Sequence, residues 1–155
     1  MSVLISLASG APVVGFRYFD APPTITDGGA IWDTIDRPKR LAFTNFSGVA
    51  PYQQTMKVML DRWAEQGDCE PEIRLLEDRQ QLTGNPHPDV LKLTGAGVKR
   101  PDLNWVLVGI EHDDATLHRS DGRRCRFVAT LTFLQHVEID LVIQNTSPAA
   151  AARAR

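Results

Sequence analysis

The chain has 155 residues, enough for one domain with a substantial core. Hydrophobic residues make up 43% and charged residues 23%, with a formal net charge of -2. That near-neutral balance argues against a dedicated nucleic-acid binder, whose footprint is a basic face, though it leaves contact with nucleic acid along a lumen open. No stretch approaches the roughly 20 apolar residues of a membrane-spanning helix. The opening MSVLISLASGAPVVGF lacks the basic start and long apolar run of a secretory leader, so a soluble protein made inside the cell is expected.

In chain order, VLISL (3–7) and VVGFRYF (13–19) are β-prone, and APP (21–23) with DGG (27–29) is loop chemistry. Residues 1–30 therefore read as an N-terminal arm or a pair of edge strands. IWDTID (31–36) and LAFTNF (41–46) are short strands around RPKR, closed by Ser47-Gly48. From Tyr52 to Leu60 the alternation of Met56, Val58 and Leu60 against Thr55, Lys57 and Met59 favours a strand. One helix is signalled: Pro71 suits a first turn, and Asp68, Glu70 and Glu72 surround the positive end of its dipole. Ile73, Leu75, Leu76 and Leu82 give it an apolar face, and Gly84-Asn85-Pro86 stops it.

Strand character returns in VLKLT (90–94) and WVLVGI (105–110). Asp113-Asp114 and Ser120-Asp121-Gly122 are turns around a short strand at 115–118. RRCRFVATLTFLQH (123–136) is the most regular piece. Cys125, Phe127, Ala129, Leu131 and Phe133 share one parity, and Arg124, Arg126, Val128, Thr130 and Thr132 the other. It reads as a strand well beyond the usual five or six residues. The apolar parity continues through Val137, Ile139, Leu141 and Ile143, and residues 145–155 read as a flexible tail. Strands outnumber helices too heavily for a βαβ layout, so the fold class is α+β, β-dominated: a sandwich or small barrel with one helix packed against it.

Chemistry is sparse. Cys69 and Cys125 form no metal-ligand spacing; Cys125 reads as a buried free thiol, with a Cys69–Cys125 disulfide left open. His87, His112, His118 and His136 are scattered, so neither metal nor cofactor is expected. TGAGVK (94–99) has the glycines of a phosphate loop but neither their spacing nor the following helix. EHDD (111–114) reads as a solvated turn before a site, and an enzyme using Asp113, Asp114 and a histidine ranks last among the functional readings. Trp32, Trp63 and Trp105 read as core anchors. Arg37, Lys39 and Arg40 with Arg123, Arg124 and Arg126 are either solvated strand ends or partners for carboxylates on a neighbouring subunit.

Five segments resemble a known family. DRPKRLAFTNFSG (36–48) is similar to the "RPGR-x-x-L-x-W-x-G" opening of phage and phage-like tail proteins. MKVMLDRW (56–63) is similar to their "LLFDGW" strand, and CEPEIRLLE (69–77) to their "VEPDIRRLE" helix. LNWVLVGI (103–110) and residues 123–138 resemble the final hairpin. On these motifs the chain resembles the tube-initiator or baseplate-hub adaptor proteins of phage tails and contractile injection systems. Their tail-tube-like domain would span residues 31–144. These proteins often carry a LysM module, and no such module follows here.

The resemblance implies a structural, non-enzymatic virion protein whose ring, hexameric by analogy, surrounds a central channel. Its partners would be copies of itself, the tail tube protein and baseplate hub proteins, with tape measure protein or DNA in the lumen and no membrane. It would be made in the host cytoplasm and reside in the virion tail or an injection particle. Long strands would span the ring wall, with Thr130 and Thr132 facing the lumen. Arg37, Lys39, Arg40, Arg124, Arg126, Asp113 and Asp114 would serve assembly. A tail terminator or completion protein, and a peptidoglycan-binding module, are the alternatives.

Overall fold

The computed structural model describes residues 2–38, 40–80 and 88–137, with the side chains at 37, 40, 42 and 43 outside that description. It is β-dominated, with a single α-helix among the described residues. The strands are β1 (Ser2–Leu7), β2 (Pro12–Tyr18), β3 (Thr24–Thr26), β4 (Ala30–Arg37), β5 (Arg40–Val49) and β6 (Gln53–Asp61). A 3-10 turn (Trp63–Glu65) and helix α1 (Glu70–Gln80) follow. Then come β7 (Leu91–Gly95), β8 (Trp105–His112), β9 (Leu117–His118) and β10 (Arg124–Gln135).

β6, β2, β1, β7, β8 and β10 pair side by side in that order, and β10 pairs back to β6, so the antiparallel sheet closes into a barrel. Two seams are thin. β2 meets β6 at Arg17–Met59 and Tyr18–Val58, and β7 meets β8 at Leu91–Trp105. Closure uses up sheet edges that would otherwise template association. β3 and β9 add short pieces beside β6 and β10.

This topology explains the length of β10. One edge runs along β6 from Arg126–Asp61 to Leu134–Gln53. The other edge serves β9 at Arg124–Arg126 and then β8 from Ala129 to Gln135. A strand of average length could not join three partners. Its inward side chains Phe127, Ala129, Leu131 and Phe133 are fully buried and form one core with Phe16, Ile5 and Trp105. Val128 breaks the alternation and is also buried, because the β8–β9 connection folds over it. Asp113 N–H and Thr116 Oγ1 both donate to Val128 O, at 3.0 and 2.9 Å.

Helix α1 starts where the acidic residues predict, with Glu70 and Glu72 in its first turn. Ile73 and Leu76 are buried in the barrel core, and the helix contacts β2 and β8. Leu75, expected on that apolar face, is exposed, since a narrow stripe covers the contact. The stop signal at 84–86, with Leu82, lies outside the described residues, as do the continuation past 137 and the tail.

Two further expectations are corrected. The first 30 residues are not a detached arm: β1 sits between β2 and β7, and Val3, Ile5 and Phe16 belong to the core. Trp105 is a core anchor, but Trp32 and Trp63 are more than half exposed, because neither lies on a strand face that the barrel covers. Cys69 and Cys125 are both buried free thiols. Burial pushes the Cys69 thiol up to about 11, which keeps it protonated and unreactive.

Candidate assembly surface

Strands β4 and β5 form a separate two-stranded sheet, hydrogen-bonded to no barrel strand among the described residues. The hairpin leaves the barrel after β3 and returns into β6, and its root is tight. Ala50 N–H donates to Gly29 O at 3.1 Å, and a Cβ on Gly28 would come within 2.4 Å of the Ala50 Cβ. Higher up, the register slips between Ile31 and Trp32 opposite Gly48, whose φ of 146° lies outside the range side chains favour. Beyond the slip, Trp32 faces Phe46 and their rings meet edge-on at 5.3 Å.

Both faces of the hairpin carry apolar side chains in water. Trp32 is 59% exposed and Phe46 50% exposed on one face. Ile31 and Ile35 are exposed on the other, and Leu41 near the tip is 92% exposed. A lone two-stranded hairpin is marginal in water, and contiguous exposed apolar surface marks an interaction site. Asp33 and Ser47 hydrogen-bond across the strands, one of the few polar ties within it. At the turn, Arg37 pairs in register with Arg40; their side chains, and Lys39 altogether, lie outside the described residues.

A second surface is the outer face of the barrel over β3, β6, β10 and β8. Thr130 lies between Lys57 and Glu111, and Thr132 lies between Thr55 and Gly109. Thr24 stands opposite Thr55, so the row Gly109, Thr132, Thr55, Thr24 crosses four strands. Thr130 and Thr132 are half-buried on this outer side. The next row outward holds Leu134, Gln53 and Thr26. Short threonines occupy the middle of this face, with Lys57 and Glu111 on one side of them and Leu134 and Gln53 on the other.

The charged residues expected at an interface are mostly engaged within the protomer. Arg124 grips Glu70 with two nitrogens at 2.7 and 2.9 Å and reaches Glu77 at 3.9 Å, fastening β10 to the start of α1. This pairing holds the Glu70 carboxyl down at about 2. Arg126 pairs with Asp61 across β10 and β6 at 2.8 Å, and Asp61 also accepts from Trp63 N–H, so its carboxyl is held below the usual range. Asp113 takes Lys57 at 2.7 Å and Ala115 N–H, with the same effect. Asp114 is exposed. Arg123 pairs with Asp68 at 2.9 Å, and the strands that carry Arg37 and Arg40 pair with no barrel strand among the described residues.

Sequence reasoning missed the groove at the β2–β6 seam. It has a volume of about 710 Å³ and is lined by Gly15, Arg17, Met59, Asp61, Trp63 and Arg126, among others. Its lining comes mainly from β2, β6, β10 and the 3-10 turn, which only the β2–β6 and β6–β10 pairings bring together, so no local pattern announced it. Among the described residues, no cluster of three or more His, Cys, Asp or Glu side chains could hold a metal ion. No described helix is long and apolar enough to cross a membrane. Comparison with protein-family models and with curated proteins found no match.

Proposed function

We propose that this chain is a structural assembly protein: a tube-fold adaptor or tube initiator that closes into a ring around a channel and links a tail tube to the baseplate hub. The reading rests on the motif resemblance and on one structural observation. The β4–β5 hairpin stands apart from a self-sufficient barrel and exposes apolar side chains on both faces. A cover supplied by a second copy of the chain would bury Trp32, Phe46 and Leu41, and repetition of that heterologous contact closes a ring.

In such a ring, the threonine rows on β3, β6 and β10 would line the lumen. The threonines are short and leave the path open, and Lys57 and Glu111 beside Thr130 would place one charge of each sign at its edge. By the motif resemblance, Arg37, Lys39, Arg40 and Asp114 would serve contacts between copies. Lumen occupants would be tape measure protein or DNA. A tail terminator at the other end of the tube uses the same ring.

Negative-stain imaging of purified protein, alone and with the tail tube protein of the same particle, tests this reading. Rings with a central hole, or caps on tube ends, are expected. A compact monomer in both samples would sink it. One observation favours a cell-wall binding module as second reading: exposed Trp63 lines a groove together with Arg17, Asp61 and Arg126, in which a sugar ring could stack. Retention on peptidoglycan that is lost in Trp63→Ala would put that reading first.

A further inference from the structure

The end of the barrel from which the hairpin returns holds buried polar groups that the fold leaves unanswered. The backbone there is well tied. Gln135 N–H donates to Tyr52 O at 2.8 Å, Tyr52 N–H donates to Gln135 Oε1 at 3.2 Å, and His136 N–H donates to Asn104 O at 2.9 Å. Inside this frame Gln54 is fully buried, yet neither its Nε2 nor its Oε1 has a partner among the described residues. Interchanging the amide oxygen and nitrogen cannot help, because both are orphaned. Trp105 is also fully buried with an unpartnered indole N–H, and Asn104 Oδ1 is buried without a partner.

Gln54 and Trp105 belong to one interior region. Gln54 shares the inward parity of Met56 and Val58, and it stands opposite Phe133 of β10. Phe133 stands opposite Leu107 of β8, and Trp105 lies two positions before Leu107 on the same inward side. Gln54 and Trp105 therefore flank the end of β10 from its two sides, both directed into the barrel. Buried polar groups in folded proteins almost always find a partner, and where side chains do not supply it, an internal water commonly does.

We propose a structural water site of one or two molecules between Gln54 and Trp105. The donors and acceptors are complementary to it. Water oxygens accept from Trp105 Nε1–H and Gln54 Nε2–H, and a water proton goes to Gln54 Oε1. The consequence is mechanical: the site joins the first turn of β6 to β8, and residues 50–53 carry the hairpin into β6. The water would hold the hairpin root at a fixed angle to the barrel, independent of whether the chain forms rings.

A high-resolution crystal structure and NMR test it together. Density within hydrogen-bonding distance of Gln54 and Trp105 is expected. So is a bound-water cross-peak on the Trp105 indole N–H, assigned by its disappearance in Trp105→Phe. Gln54→Leu should abolish that cross-peak and lower Tm by a few degrees, because the water loses both of its Gln54 partners. A direct Gln54–Trp105 hydrogen bond, a dry interior, or a Tm that rises in Gln54→Leu would overturn the proposal.

Discussion

The barrel and the β4–β5 hairpin use the same kinds of residue in opposite ways. In the barrel, Phe16, Phe127 and Trp105 are buried in one core, and the rings of Phe16 and Phe127 sit 6.2 Å apart. In the hairpin, Trp32 and Phe46 touch each other and are otherwise in water. The barrel completes its own hydrogen bonding by closure, whereas both outer edges of the hairpin are unpaired among the described residues. The difference separates two sources of stability. The barrel carries its own, whereas the hairpin has only the contacts between its two strands, and the proposed ring would supply the rest.

The largest test of this comparison is a matched pair of truncations. Phe127→Ala removes a fully buried ring and should cost about 3–5 kcal/mol, lowering the unfolding midpoint in denaturant accordingly. Trp32→Ala with Phe46→Ala should change the stability of the isolated protomer by less than about 1 kcal/mol, as at most exposed sites. Equal losses from the two would erase the distinction. The same double variant should nevertheless abolish assembly, which sedimentation velocity would read directly.

The Arg124–Glu70 pair sharpens the barrel side. The Glu70 carboxyl is depressed to about 2 from 4.5, so its stabilisation is present above about pH 4.5 and is lost as pH falls toward 2. Glu70→Gln should cost on the order of 1–2 kcal/mol at neutral pH; the full shift would convert to more, but part of the pair is solvated. It should also flatten the acid limb of a Tm-against-pH curve. An unchanged acid limb would place the acid sensitivity at Asp61 or Asp113 instead, whose carboxyls are also held low. The smallest effect is expected on the outer barrel face. Thr130→Val and Thr132→Val should each move stability by no more than about 0.5 kcal/mol, since both are half-buried without a side-chain hydrogen bond among those described.

How far the sequence could be read follows the range of the interactions. The alternation in β10 and β6 is a local signal, and both strands form where it placed them. The start of α1 was legible for the same reason, from Pro71 and its acidic neighbours. Barrel closure was not, because it depends on pairs such as Arg17–Met59 and Leu91–Trp105 that no local pattern encodes. Arg124, Arg126 and Asp113 stood out as charged groups, but their partners Glu70, Asp61 and Lys57 are set by register and by the docking of α1. Trp32 and Trp63 were misread because an aromatic on a strand or just beyond one has no way to declare whether anything covers it. In the hairpin that ambiguity is itself the finding.

The central claim is that a second copy of the chain covers the hairpin. Its most direct test is the molar mass by light scattering across a concentration series, for the wild type and for Trp32→Ser with Phe46→Ser. A wild-type mass that climbs to a fixed multiple of the protomer, with the variant remaining a folded monomer, is the predicted result. A wild type that stays monomeric at the highest concentration, or a variant that assembles as well as the wild type, would contradict it.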